Sequence, residues 1–272
     1  MTIASSARAA FGAALAVSCA CGGASAPPPR FVAPEQAERA APEGTPAGSR
    51  RLPYEPTTAA GGPLPIDADD AAWGSAIAPV TLVVFADLEC GFCAVAHETL
   101  VELKRHYGPH RLRVVFKHLP LAVHPNAVTA ARAAQSVRDL AGSDAFFRYV
   151  ASIYANQRDL GAQRLIDWAE QLGVEKEQLL RRYASKTVFE ELSADLELAA
   201  RLGVRGTPAS WINGALIEGA EPAFVFMGLI DAELAETRNL RGRGVAAGDI
   251  YERRVKTNLR KAGRLRRVAS SD

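Results

Sequence analysis

Two rhythms of apolar positions alternate along this chain. Val80-Thr-Leu-Val-Val-Phe-Ala86 is a β-branched apolar run of strand length, which predicts a strand buried on both faces. It leads into Asp87-Leu-Glu-Cys90. Beyond it, Phe92, Val95, Ala96, Thr99, Leu100 and Leu103 recur at helical spacing, predicting an amphipathic helix that ends near Gly108-Pro109. Arg111 to Phe116 reads as a second strand, completing a strand–helix–strand unit. From His124 to about Leu202 the pattern is helical, in segments near 125–140, 144–156, 162–172, 175–184 and 186–202. Gly206-Thr207-Pro208 then interrupts. Asn213-Gly214 between two short apolar runs predicts a hairpin, and Pro222 opens a last helix through Phe226, Ile230 and Leu234.

Composition sets the limits of this ordered region. Of the 272 residues, 48% are hydrophobic, enough for a sizeable core. Residues 22–63 hold nine of the sixteen prolines and few large apolar side chains, so they read as a disordered tether ahead of a domain over 64–240. Extended at about 3.1 Å per residue, such a tether reaches on the order of 100 Å. The formal net charge of +2 hides an asymmetry, because residues 238–272 carry eleven Lys/Arg against three Asp/Glu. Residues 241–272 therefore read as a basic tail. Within it Ile250, Val255 and Leu259 are too sparse for a strong apolar face, which predicts a solvated, partly frayed helix; attachment to anionic lipid is the sharper alternative. Nucleic-acid binding is not expected of an exported chain.

Export is read from the N-terminus. Arg8 precedes a short apolar run, Ala9 to Ala20, which fits a secretory signal over residues 1–21 and is too short to span a bilayer. Ala16-Val17-Ser18-Cys19 resembles a bacterial lipobox, with Ala16 where Leu is usual, so Cys19 is the candidate lipidation site. Cleavage after Ala26 is the alternative. The lipobox reading makes the chain periplasmic and tethered to a membrane by an N-terminal lipid.

The chemistry lies in the other two cysteines. Cys90-Gly91-Phe92-Cys93 at a strand-to-helix junction sets the first sulfur beside unpaired backbone N–H groups and the positive end of the helix dipole, which favours a thiolate. The second sulfur comes one turn later. Such a pair can form a mixed disulfide with a client through Cys90 and resolve it with Cys93, a cycle that needs no cofactor. A zinc or copper site using both sulfurs with His97, His118 or His124 is a competing reading, and a non-catalytic binding module is another. No metal is assigned. The five histidines are given no catalytic role, and Asp87 and Glu89 read as solvated loop charges.

Ala78-Pro79-Val80-Thr81-Leu82-Val83-Val84-Phe85 before the dithiol, Phe116-Lys117-His118-Leu119-Pro120-Leu121 with His124-Pro125 after it, and Val204-Arg205-Gly206-Thr207-Pro208 before the hairpin together resemble the DsbA-like thiol–disulfide oxidoreductases of the thioredoxin superfamily. The resemblance covers about 64–236. It implies an α/β, thioredoxin-like fold with an all-helical insertion, about 124–202, between its βαβ and ββα halves. It also implies a cis-proline at Pro208 facing the dithiol, with Thr207 and Pro208 offering a backbone edge to an extended client peptide. The implied partners are cysteine-containing exported clients and a further redox protein. Two departures stand out. Many relatives keep a buried acid six positions before the first cysteine, where this chain has Val84, and strong oxidants of the family place His directly before the second cysteine, where it has Phe92.

Overall fold

The computed structural model describes residues 62–263, so Cys19, the signal segment and most of the tether lie outside the described residues. The ordered chain runs β1 (Ala71–Trp73), β2 (Val80–Ala86), α1 (Gly91–Tyr107), β3 (Leu112–His118), α2 (Ala127–Ala155), α3 (Ala162–Glu170), α4 (Lys176–Tyr183), α5 (Lys186–Leu202), β4 (Ala209–Ile212), β5 (Ala215–Glu218), α6 (Ala223–Gly242) and α7 (Ile250–Lys261). This is a mixed α/β fold with the helical insertion α2–α5 between its two halves.

Five strands form one sheet in the order β1-β3-β2-β4-β5, with β2 and β3 parallel and the other pairings antiparallel. The period of two along β2 and β3 sorts their side chains between two cores. Leu82, Val84, Val114 and Phe116 face α1, α2 and α6, while Val83, Phe85 and Val115 face α5 and α7 with Trp211. β2 is buried at every position because it is central and covered on both sides.

Punctuation in the sequence accounts for both ends of α5. Ser185 caps α5 by accepting from the Val188 N–H at 3.3 Å, and Gly203 closes it in the left-handed region at φ 69°. The gap expected between segments 125–140 and 144–156 is a kink instead: α2 continues through Gly142, whose φ of 82° and ψ of 178° break the helical path without ending it. The short edge strand β1 has no alternating pattern in the sequence; pairing with β3 creates it. On the second face, Lys117 of β3 is buried, ties α5 to the sheet through Asp195 at 3.1 Å, and meets Asp70, just ahead of β1, at 2.7 Å.

The C-terminal segment differs from the solvated helix expected of it. α7 is packed, with Ile250, Val255 and Leu259 buried together with Arg254 and Asn258. Its two polar side chains complete the buried face because each finds partners. Arg254 donates to Glu233 through Nε at 2.8 Å and Nη2 at 2.6 Å, and Asn258 Nδ2 donates to Glu233 Oε1 at 2.9 Å and to the Asn213 carbonyl at 3.0 Å. A count of apolar positions alone misses such a face. Gly214, at φ 86°, also admits α7: a Cβ there would stand 2.7 Å from Val255 Cα. The start of the described chain also meets α7: Gly62 lies against Glu252, and the Tyr251 hydroxyl donates to the Leu64 carbonyl at 2.9 Å.

Candidate active site

β2 ends at Ala86, and the chain turns over Asp87-Leu88-Glu89 so that Cys90 is the N-cap residue of α1, in extended conformation with no side-chain cap. Its carbonyl starts the helix by accepting from the Cys93 N–H at 3.0 Å. Both cysteines are free and largely buried, Cys90 at 6% exposure and Cys93 at 2%. Gly91 and Phe92 between them are exposed, Phe92 at 70%.

Three of the elements predicted from sequence meet here. The Thr207–Pro208 peptide bond is cis, the Cys90 thiol donates to the Thr207 carbonyl at 3.5 Å, and Pro208 lines the same cleft as Cys93. The Cys93 sulfur accepts from the Asp87 N–H at 3.4 Å. Burial pushes the Cys93 thiol up to about 12, although that N–H and the Thr207 side chain pull the other way. Thus Cys93 is held protonated until something removes its proton.

Asp87 and Glu89 are structural rather than solvated. The Asp87 carboxylate is buried and accepts from the Glu89 N–H at 2.8 Å and the Leu121 N–H at 2.8 Å, and it meets His124 Nδ1 at 2.7 Å. Glu89 accepts from the backbone and side chain of Asn126 at 2.6 and 2.9 Å. Together they pin the dithiol loop to the segment after β3. The contrast of two acids inside an apolar frame was the only trace of this in the sequence, and loop position alone suggested solvent.

The insertion holds the same loop from another side. The Tyr154 hydroxyl donates to the Asp87 carbonyl at 3.4 Å, and Gln157 Nε2 donates to the carbonyls of Leu88 at 3.0 Å and Cys90 at 2.9 Å. No local pattern marks Tyr154 or Gln157, because their partners lie more than 60 positions away. Among the described residues no group of three or more His, Cys, Asp or Glu side chains is placed to hold a metal ion.

Comparison with known proteins agrees with this geometry. Residues 67–232 match a family profile described as thioredoxin. Two curated relatives are the Na(+)/H(+) antiporter NhaA of Herminiimonas arsenicoxydans, 31% identical over 64% of this chain and 27% of that protein, and NhaA 3 of Salinispora tropica, 34% identical over 56% and 23%. The chain thus spans about a quarter of the length of these relatives. Among solved structures, a periplasmic thioredoxin-like protein from Salmonella enterica serovar Typhimurium superposes with a TM-score of 0.55 at 27% identity, covering 64% of this chain and 94% of that one. The thiol-disulfide exchange protein alpha-DsbA2 from Wolbachia pipientis gives 0.56 at 20% identity, covering 61% and 88%. The chain belongs to the thioredoxin family, and its fold is that of the DsbA-like members.

Proposed function

We propose that this chain is an exported protein thiol–disulfide oxidoreductase in which Cys90 exchanges disulfides with clients and Cys93 resolves the mixed disulfide. The observation that carries this reading is the pairing of a helix-capping Cys90 beside the Thr207 carbonyl with a Cys93 buried one turn further in. Cys90 is the sulfur next to the exposed Gly91-Phe92 corner and to the backbone edge at Thr207-Pro208, where an extended client segment can lie. A client disulfide is attacked there, and the buried thiol then displaces the client.

The names of the curated relatives describe sodium–proton antiport by proteins roughly four times the matched length. No helix among the described residues is long and apolar enough to cross a membrane, so thiol chemistry is the activity we assign to the matched stretch. The clients are cysteine-containing exported proteins, met in the periplasm, with Cys19 as the lipid anchor and a separate redox protein restoring the dithiol. Substitution separates this reading from its rivals. Cys93→Ser should accumulate client adducts on Cys90, visible on non-reducing gels, and Cys90→Ser should accumulate almost none. A metal-binding or passive binding protein would show no adduct with either variant.

A further inference from the structure

The resolving step makes a chemical demand that the dithiol cannot meet by itself. Cys93 must lose its proton, yet it is buried and its thiol is pushed up to about 12 by that burial. The two β2 side chains beside it, Val84 and Ala86, are apolar, so no carboxylate reaches the sulfur from the strand. The Asp87 carboxylate is already engaged by Leu121, Glu89 and His124. What remains is a cleft between α1, α2 and the sheet, into which Cys93, His97, Lys104 and Tyr154 all face.

Two of these side chains are suitably placed. His97 follows Cys93 by four residues on α1, so the two are neighbours on one helix face. Tyr154 comes from α2 and lines the same cleft as Cys93, and its hydroxyl donates to the carbonyl of Asp87, the residue whose N–H the Cys93 sulfur accepts. The rings of His97 and Tyr154 pack at 5.2 Å between centroids, tilted by 43°. Resting on the oxidoreductase reading above, we propose that His97 is the general base for Cys93 and that Tyr154 holds the sulfur as its negative charge develops.

In this step the Cys93 S–H gives its proton to an imidazole nitrogen of His97. The freed sulfur pair attacks the Cys90 sulfur of the mixed disulfide, the Cys90–client bond breaks, and the Cys90–Cys93 bond forms. The client sulfur leaves as a thiolate with the electron pair of the broken bond, and the imidazolium returns its proton to solvent. No outside oxidant is needed. Electrostatics favours each role: burial lowers the His97 pKa, with Glu98 opposing and Lys104 assisting, so the ring is neutral and able to accept. Burial raises the Tyr154 hydroxyl well above its usual value, so it stays a donor, and the neighbouring sulfurs and Asp87 act in the same direction.

The test uses the reduced full chain and a symmetric aromatic disulfide whose thiolate is coloured. Its first release reports attack by Cys90, and its second reports resolution by Cys93. In the unsubstituted protein the second rate should level off above the depressed His97 pKa and stay flat through neutrality. In His97→Gln it should fall on the order of 100-fold near neutral pH and climb about tenfold per pH unit, because hydroxide must then remove the proton. Tyr154→Phe keeps the ring against His97, so it should keep the flat profile at a rate lowered roughly tenfold or more, the loss of one hydrogen bond to a charged group. An unchanged second phase in both variants, with the profile still flat, overturns the proposal and leaves the oxidoreductase reading standing. Absence of the first phase in the unsubstituted protein overturns both.

Discussion

Replacing Arg254 by Ala strands a carboxylate inside the domain. Arg254 and Glu233 have side chains only 7% and 5% exposed and meet through two parallel hydrogen bonds of 2.8 and 2.6 Å. Removing one partner of such a pair costs about 3–5 kcal/mol, since the remaining charge is left uncompensated. For a domain of this size that corresponds to a fall in Tm of roughly 6–20 °C. The pH dependence follows from Glu233. Burial pushes its pKa up, but hydrogen bonds from Arg254, Asn258 and Asn213, with the charge of Arg254, hold it below 4.5 in the folded protein. The unsubstituted protein therefore has the full contribution of Glu233 above that value and loses it as pH falls through the depressed folded pKa. In Arg254→Ala burial acts with less opposition, and the folded pKa rises past the unfolded one. Glu233 then destabilises the variant progressively as pH increases above the unfolded value. Urea denaturation at about pH 7 and about pH 4 should thus give a large difference at the first and a smaller one at the second. A cost below about 1 kcal/mol at neutral pH, or an equal cost at both, would refute the ion-pair account of how α7 is held.

Two further outcomes are expected. In the native reduced protein Cys93 should react with iodoacetamide about 1000-fold more slowly than an ordinary cysteine, since its thiol lies near 12 rather than 9.0; equal labelling of both sulfurs, followed by peptide mapping, would contradict this. Gly214→Ala should destabilise by roughly 2–4 kcal/mol, combining the cost of a left-handed Ala with overlap on Val255, as read from a denaturant midpoint; a loss under about 0.5 kcal/mol would mean that α7 does not rest on the hairpin.

The sequence made the dithiol and its immediate frame legible because the signals there are local. β2 is one unbroken apolar run, α1 has a clear helical period, and Asn213-Gly214 marks a turn whose Asn indeed takes a positive φ of 45°. What escaped was carried by polar residues acting at long range. Asp87 is written as a loop acid, and its burial depends on Leu121 and His124 arriving from beyond β3. Arg254 and Asn258 look like solvent-facing positions until Glu233 and Asn213 are placed opposite them. Tyr154 and Gln157 belong to a helix whose periodicity describes its packing, whereas their hydrogen bonds go to backbone carbonyls, which carry no side-chain identity to correlate with.

The contact of Tyr251 with the Leu64 carbonyl, and of Gly62 with Glu252, has a mechanical consequence. A pull on the chain ahead of Gly62 bears on the start of α7, at Tyr251 and Glu252, together with Leu64. Leu64, Val255 and Leu259 share one buried cluster with Val83 and Phe85 of β2 and Val115 of β3, so tension applied ahead of Gly62 is passed on to the strand that leads into the Cys90 loop.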